Sequence, residues 1–359
     1  MIKTYIGRNI VMSKKLNLLF VVLGILFVVA ACQSNKDKEV TTDKEKPAKV
    51  DEALVAAKVQ FELLGDVPIP EDNPMTDEKI ELGKQLFFDP RLSGDDSLSC
   101  MSCHLPNEGF GDGLATFIGF EDFEGARNSQ TIINSAFYKE LFWDGRAASL
   151  EEQALGPIQD PGEMNLSLDE LVKKLNEVPE YVEAFQDVFE SDITPDTVAK
   201  ALAAFQRTIV ITDTAFDRYL QGDDDAINAE AKEGMKLFVD KSGCISCHNG
   251  PLLSNNDYHN TGLSGDDGRY AVTDDEADKG KFRTPGLRGA SHTAPFMHDG
   301  SLATLEDVVN YYNAGGGGDA NKDPLKKPLG LTPEEVKQLV AFLESMSGEV
   351  PEVSIPSLP

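Results

Sequence analysis

The chain has 359 residues, a formal net charge of −28 and 41% hydrophobic residues. This acidity excludes nucleic-acid binding and disfavours anionic membrane surfaces, and it favours a basic or dipolar partner attracted over a distance. About 300 residues remain after a polar N-terminal stretch, which is enough for two domains of ordinary size.

The first 31 residues have the pattern of an export signal. Two lysines precede an apolar run, Leu18 to Ala31, that is too short to span a bilayer and suits a signal peptide. The run ends in Val29-Ala30-Ala31-Cys32, which resembles a bacterial lipoprotein cleavage box. We therefore expect residues 1–31 to be removed and Cys32 to carry a lipid anchor on the periplasmic side of the bacterial envelope, at the outer membrane. An ordinary signal peptide with a spare cysteine is the alternative.

Residues 32–59 are predicted to be a flexible tether between membrane and domain. As far as about Asp51 they are rich in Lys, Glu, Asp and Thr, a composition that cannot bury a core.

The next feature is a pentapeptide that occurs twice, Cys-x-x-Cys-His at residues 100–104 and again at 244–248. It is the attachment signature of c-type haem, in which two thiols bond the haem and the adjacent histidine ligates the iron. A zinc site would not require the histidines, and a thioredoxin-like site would lie near a strand–helix alternation that this chain lacks. We predict two covalent haems, bound by Cys100, Cys103 and His104 and by Cys244, Cys247 and His248.

An approximate internal repeat leads into the two haem motifs. Residues 76–89 and 229–240 each have a helical apolar period and share Gly-x-x-Leu-Phe-x-Asp at their ends. Strand signals are few, so the predicted fold class is all-α, with two cytochrome c-like domains that each bind one haem. The predicted bounds are 60–211 for the N-terminal domain and 212–346 for the C-terminal domain, followed by a tail at 347–359.

Other helices have recognisable ends. Thr194-Pro195 predicts a helix through about Val210, because threonine caps helices and proline suits their first position. Thr332 begins a capping box that predicts a helix to about Met346. Ser167 begins a helix that ends before Pro179.

Several motifs between and after the haem signatures resemble, in the same order, those of the bacterial di-haem cytochrome c peroxidase family, which includes a methylamine-utilisation branch that matures a tryptophan-derived quinone. The resemblance covers roughly residues 60 to 346. It is carried by Ala126-Arg127-Asn128, Phe142-Trp143-Asp144-Gly145-Arg146-Ala147, Glu152-Gln153-Ala154-Leu155-Gly156-Pro157, Glu163-Met164, Phe282-Arg283-Thr284-Pro285-Gly286-Leu287-Arg288 and Thr293-Ala294-Pro295-Phe296-Met297-His298-Asp299-Gly300.

The resemblance implies roles for three side chains of the N-terminal half. The first haem, on His104, would react with peroxide, and the second, on His248, would receive electrons. Trp143 matches a tryptophan that lies between the two haems. Gln153 and Glu163 match a polar pair on the peroxide side of the first haem, where a carboxylate can move a proton between the peroxide oxygens.

The resemblance also implies a calcium ion held between the domains. Asn128, Thr293 and Pro295 match its ligands, the last two through backbone carbonyls, and such oxygen ligands suit a hard cation.

The iron ligands opposite the two histidines depart from the typical family pattern. Many members have a histidine some sixteen residues after the first haem histidine, whereas this chain has Phe120 there. We therefore expect the first haem to be five-coordinate and open at rest. For the second haem, Tyr312 takes the place of the usual methionine, as in the methylamine-utilisation branch, and it lies on the apolar face of a capped helix. Met297 is the rival ligand, and Tyr311 points off the apolar face.

The leading functional hypothesis is a peroxidase that reduces hydrogen peroxide to water with electrons from a small cytochrome c or another periplasmic redox protein. The alternative is an oxidase that modifies a partner protein through a high-valent iron state, as in the methylamine-utilisation branch. A pure electron carrier would leave Gln153 and Glu163 without a purpose. A homodimer remains an open arrangement.

Overall fold

A computed structural model describes residues 51–359, and this part of the chain is mostly helical. The predicted signal peptide, the predicted lipidation residue Cys32 and the predicted tether as far as residue 50 lie outside the described residues. Within 51–359 no helix is both long enough and apolar enough to cross a bilayer.

The described residues contain α-helices, 3-10 helices and one small sheet. The α-helices are α1 Glu52–Lys58, α2 Asp77–Phe88, α3 Cys100–Cys103, α4 Leu150–Gln159, α5 Leu168–Asn176, α6 Pro179–Phe189, α7 Pro195–Gln206, α8 Ala215–Leu220, α9 Ala229–Val239, α10 Tyr270–Thr273, α11 Leu305–Asn313 and α12 Pro333–Ser345. The 3-10 helices are Pro90–Leu92, Pro106–Glu108, Phe120–Asp122, Ser135–Phe137, Cys244–Ser246, Glu276–Asp278 and Ala290–His292. The sheet pairs β1 Tyr258–His259 antiparallel with β2 Phe282–Arg283.

The predicted helix starts are confirmed by their caps. The hydroxyl of Thr76 accepts a hydrogen bond from the amide of Lys79 at the start of α2. Thr332 and Glu335 form the expected capping box at α12. A break at Pro179 separates α5 from α6, because proline begins the second helix.

Helix α7 is shorter than predicted, since it ends at Gln206 rather than near Val210. The side chain and backbone of Asn134 explain the early end. The amide of Asn134 donates to the carbonyl of Ile209 over 2.9 Å, and its side-chain oxygen accepts from the amide of Ile211 over 3.0 Å. These bonds engage the backbone that would otherwise continue the helix.

The glycines of the internal repeat let two pairs of helices approach closely. A Cβ atom on Gly83 of α2 would lie 1.9 Å from the carbonyl oxygen of Ala201 in α7. A Cβ on Gly234 of α9 would lie 1.9 Å from the carbonyl oxygen of Gln338 in α12. The repeat therefore encodes the same helix contact twice, once in each half.

Two large clusters of buried apolar side chains form most of the core, and a small third cluster groups Leu141, Ala147, Leu150 and Ala203. The first draws its buried members from residues 82–211 and the second mainly from residues 216–346. The all-α prediction with two cytochrome c-like domains is confirmed.

Each end of the described chain packs on the half that is farther from it in sequence. The N-terminal end packs on the second cluster, and the C-terminal end packs on the first. Helix α1 falls inside the predicted tether, yet Ala57 and Phe61 are buried in the second cluster. Asp51 caps this helix, so residues 52–58 of the predicted tether are helical rather than flexible. At the other end, Val350 and Val353 of the predicted tail pack against the first cluster.

Candidate active site

The first haem motif lines a cavity of about 570 Å³. Helix α3 supplies Cys100 and Cys103, and His104 follows directly. The Nδ1 atom of His104 lies 3.1 Å from the carbonyl oxygen of Phe110, so that nitrogen donates and Nε2 stays free. A histidine oriented in this way is ready to ligate a metal. Burial keeps the thiols protonated by raising the pKa of each to about 12.

Gln153 and Glu163, predicted as the polar pair, line this same cavity. Helix α4 carries Gln153, and Glu163 follows the helix in a turn, where its amide donates to the carbonyl of Asp160. Burial, reinforced by the charge of Asp160, raises the pKa of Glu163 to about 7. The side chain can therefore take up or release a proton near neutral pH.

Phe120, which the resemblance places where many relatives have a histidine, supports Glu163 through its backbone. The amide of Phe120 donates to the carbonyl of Glu163 over 2.9 Å. Its ring is absent from the residues that line the first cavity. Among the described lining residues, His104 alone is a histidine.

The second haem motif lines a larger cavity of about 1060 Å³. His248 is oriented like its counterpart, with Nδ1 3.0 Å from the carbonyl oxygen of Leu253. Burial lowers the pKa of His248 to about 4, which leaves the ring neutral and able to ligate iron. Cys244 and Cys247 complete the attachment set.

The second cavity discriminates between the predicted iron ligands. Tyr312 lines it, whereas Met297 does not. Burial raises the pKa of Tyr312. The hydroxyl of Tyr311 donates to the carbonyl of Thr261 over 2.8 Å and is thereby directed elsewhere, as its position on α11 predicts.

A pair beside the second motif was missed by the sequence reasoning. His259 places Nε2 3.5 Å from the sulfur of Cys247, while Nδ1 lies 2.6 Å from a carboxylate oxygen of Asp323. The histidine and the aspartate are 64 residues apart, so no local pattern signals their contact.

Trp143 lies where segments of the two halves meet. Its Nε1 donates to the carbonyl of Asn128 over 2.9 Å, and its ring lies edge-on to the imidazole of His298, with centroids 6.4 Å apart. His298 stacks on Phe282 at 3.7 Å. Trp143 does not belong to the residues that line either cavity.

The segments that carry the predicted calcium ligands adjoin each other. The amide of Asn128 donates to the carbonyl of His298 over 2.8 Å, while its side-chain amide donates to the carbonyl of Leu114. Within residues 51–359 no group of three or more His, Cys, Asp or Glu side chains could hold a metal ion.

Two motifs of the resemblance meet around Trp143 in an ion-pair network that the sequence did not predict. Arg127 bonds Asp144 at 2.6 Å and Asp266 at 2.7 Å. Arg146 bonds Asp144 as well, and Arg269 bonds Glu140. The recurring Arg and Asp residues within these motifs were the available signal.

Each cavity contains what a c-type haem needs, namely two thiols, one histidine with a free Nε2, and largely apolar walls.

Comparison with known proteins agrees with this geometry. Residues 77–225 match the family described as di-haem cytochrome c peroxidase, and residues 231–347 match cytochrome c. The chain is 45% identical over 349 residues to cytochrome-c peroxidase IdrP1 of Denitromonas iodatirespirans, covering 86% of this chain and 92% of that protein. The chain belongs to the di-haem cytochrome c peroxidase family. Two c-type haems are accordingly its cofactors, and it is an oxidoreductase.

Both branches of the family are represented among its relatives. The methylamine utilization protein MauG of Methylorubrum extorquens is 42% identical over 312 residues, which is 85% of this chain and 88% of that protein. A solved structure of a MauG-like protein associated with microbial copper homeostasis superposes with a TM-score of 0.74 at 33% identity and covers 80% of this chain and 94% of its own.

Proposed function

We propose that this protein reduces hydrogen peroxide to water at its first haem site, with electrons that a small redox protein delivers at its second. The observation that carries the proposal is the pair Gln153 and Glu163 in the cavity of the first haem motif, with a Glu163 pKa of about 7. A carboxyl group that can exchange a proton at neutral pH is what cleavage of peroxide requires.

The reaction consumes two electrons and two protons and yields two water molecules for each peroxide. Bound haem would supply redox-active iron in each cavity, held by the cysteines and ligated by His104 or His248. Glu163 accepts a proton from one peroxide oxygen and returns it to the other. Gln153 orients the peroxide through its amide, which can both donate and accept hydrogen bonds.

The first site is proposed to be open to peroxide at rest. Phe120 replaces the histidine that closes this site in many relatives, and the chain has no histidine between His104 and His248. Peroxide can then react without prior reduction of the protein.

The second site is proposed to be closed by Tyr312, which lines the cavity together with His248 while Met297 does not. Tyrosine is an established haem ligand, and it favours a lower reduction potential than methionine does. Trp143 is assigned as the relay for electrons that pass from the second domain to the first. Its contacts with Asn128 and His298 support this assignment.

We further assign a calcium ion to Asn128, Thr293 and Pro295. The support is the adjacency of the two segments, through the backbone bond between Asn128 and His298. Because carbonyl oxygens would supply much of the ligand set, binding would be weaker than at a site rich in carboxylates.

The proposed location is the periplasmic face of the bacterial outer membrane, with a lipid anchor on Cys32. The signal-like residues 1–31 support it. The donor would then be a small periplasmic cytochrome c or another soluble redox protein, and a homodimer is compatible with this arrangement.

The direct test is steady-state oxidation of reduced small cytochromes c by hydrogen peroxide, catalysed by the fully haem-loaded protein. We expect turnover, and failure with several donors would refute the proposal. The resting oxidised protein should also give one high-spin and one low-spin ferric signal in electron paramagnetic resonance. Two low-spin signals would refute the open first site.

A second candidate function is oxidation of a partner protein, favoured by Phe120 in place of the histidine and by Tyr312 in the second cavity. It predicts that peroxide alone converts both haems to a long-lived oxidised state when no donor is present. Rapid return to the resting spectrum would favour the peroxidase.

A further inference from the structure

The segment that carries Trp143 is bound mainly by arginines of the other half. This Trp143 segment, residues 140–146, precedes α4, whereas Arg269 and Arg283 follow the second haem motif. Nη1 of Arg269 donates to the carbonyls of Asp144 and Gly145 over 2.9 and 2.8 Å. The amide of Arg283 donates to the carbonyl of Trp143 over 2.8 Å, and its Nε lies 3.4 Å from that of Phe142. Four consecutive carbonyls are thus engaged from the second half.

Arg269 also binds Glu140, the first residue of the Trp143 segment. Its guanidinium lies 3.1 Å from a carboxylate oxygen of Glu140 and stacks on the ring of Tyr258, 4.2 Å from the ring centroid. The hydroxyl of Tyr258 donates to the same carboxylate over 2.5 Å and accepts from Arg269 over 3.1 Å. Since Glu140 lies before Trp143 and the two carbonyls lie after it, Arg269 fixes the segment on both sides of the indole.

The side chains of Tyr258 and Arg269 pack so closely on Gly145 that no side chain fits at this position. Its φ is +71°, a region that favours glycine, and a Cβ atom there would lie 1.6 Å from the hydroxyl of Tyr258 and 2.4 Å from Nη1 of Arg269. The glycine in the Trp-Asp-Gly-Arg motif therefore serves the approach of Tyr258 and Arg269.

We propose that Arg269 is a positioning residue for Trp143 and that it sets the rate of electron transfer between the two haem domains by holding the indole at a fixed distance and orientation. Only a planar fork of donors can bond two carbonyls and a carboxylate while stacking on a ring, so lysine cannot replace it fully. Misplacement of a reacting group by about 1 Å can cost roughly 10²-fold in rate. The proposal rests on the proposed relay role of Trp143.

The first experiment measures electron transfer between the haems directly. A light-generated reductant reduces the second haem of the fully loaded protein, and absorbance follows the arrival of the electron at the first haem. We expect R269Q to slow this step roughly 10-fold or more, R269K to recover part of the rate, and Y258F to slow it less. R218Q is the matched control, because Arg218 also bonds a carbonyl and a carboxylate, both of Asp213, but makes neither bond to the Trp143 segment.

A double-mutant cycle with W143F separates this proposal from the relay role itself. If Arg269 acts through Trp143, R269Q causes no further slowing in the W143F protein. Equal slowing by R269Q in both backgrounds would overturn the proposal. If W143F leaves the rate unchanged, the relay role fails instead.

Trp143 is the only tryptophan in the chain, so its fluorescence gives a readout that does not depend on activity. Quenching by the bound haems depends on distance and orientation. We expect one dominant picosecond decay in the wild type and in R218Q, and several decays in R269Q, because the indole then samples several positions. An unchanged single decay in R269Q and Y258F, each with normal haem content and thermal stability, would overturn the proposal.

Discussion

The two haem cavities share their attachment residues but differ in the charged side chains around them. In the first, Glu163 is the acidic side chain that lines the cavity, and Gln153 accompanies it. In the second, Lys326 and Lys327 line the wall, together with Tyr312. The common residues specify that each cavity binds a haem. In the proposed function, the differing residues would make one site able to move protons and the other suited to a sixth ligand.

The strongest test of this contrast removes the proposed second ligand. We expect Y312F to abolish the low-spin ferric signal of the second haem, because phenylalanine fills the same volume but has no oxygen to ligate iron. M297L should leave that signal intact, since Met297 does not line the cavity. Loss of the low-spin signal in M297L and its survival in Y312F would reverse the assignment.

The next test removes Glu163, the proposed proton carrier of the first cavity. We expect E163Q to lower kcat for peroxide reduction by roughly 10²–10⁴-fold, because glutamine keeps the shape but cannot exchange a proton. Haem content and the resting spectrum should not change. E170Q, on the exposed face of α5, provides a control of the same chemistry, and activity near wild type in E163Q would exclude the assigned role.

The close helix contact that occurs in both halves can be tested at its two equivalent glycines, Gly83 and Gly234. G83A and G234A should each reduce the free energy of unfolding by about 1–3 kcal/mol, because the added methyl group meets a backbone carbonyl of the facing helix. Alanine normally stabilises a helix relative to glycine, so a loss of stability identifies the close contact. In G65A the new methyl group would meet nothing within 4 Å, and thermal unfolding should stay as in the wild type.

A smaller effect should appear in the pH profile of the peroxide reaction. Burial raises the pKa of Glu163 from an ordinary value near 4.5 to about 7. Glu163 must be ionised to accept the proton, so kcat/KM for peroxide should rise about tenfold per pH unit below pH 7 and level off above it. The profile of E163Q should be flat in this range. A wild-type profile that is flat between pH 5 and 8 would contradict this assignment.

Local patterns in the sequence were sufficient to predict much of the fold and of the candidate site. The haem motifs, the caps at Thr194 and Thr332 and the inward face of Tyr312 depend on neighbours a few residues away, which a sequence displays directly. The family resemblance added Gln153 and Glu163, which no local rule could have paired with His104.

Long-range contacts were beyond such reasoning. Arg127 with Asp266, and His259 with Asp323, join residues far apart in the chain. The first pair depends on how the two halves dock, and the second depends on how the C-terminal half folds on itself. The early end of α7 also depends on a distant residue, Asn134. Helix propensity alone could not anticipate these contacts.

The crossed packing of the chain ends limits how this protein can be divided. Cutting the chain near residue 211 would give a leading fragment that keeps α1 and Phe61 but lacks the apolar core they cover, and a trailing fragment that keeps Val350 and Val353 without theirs. Each fragment would expose the apolar side chains of an end that packs on the other half. It would also lack the chain end that packs on its own core. Separate expression of either cytochrome unit would therefore require the exchanged end to be grafted back onto it.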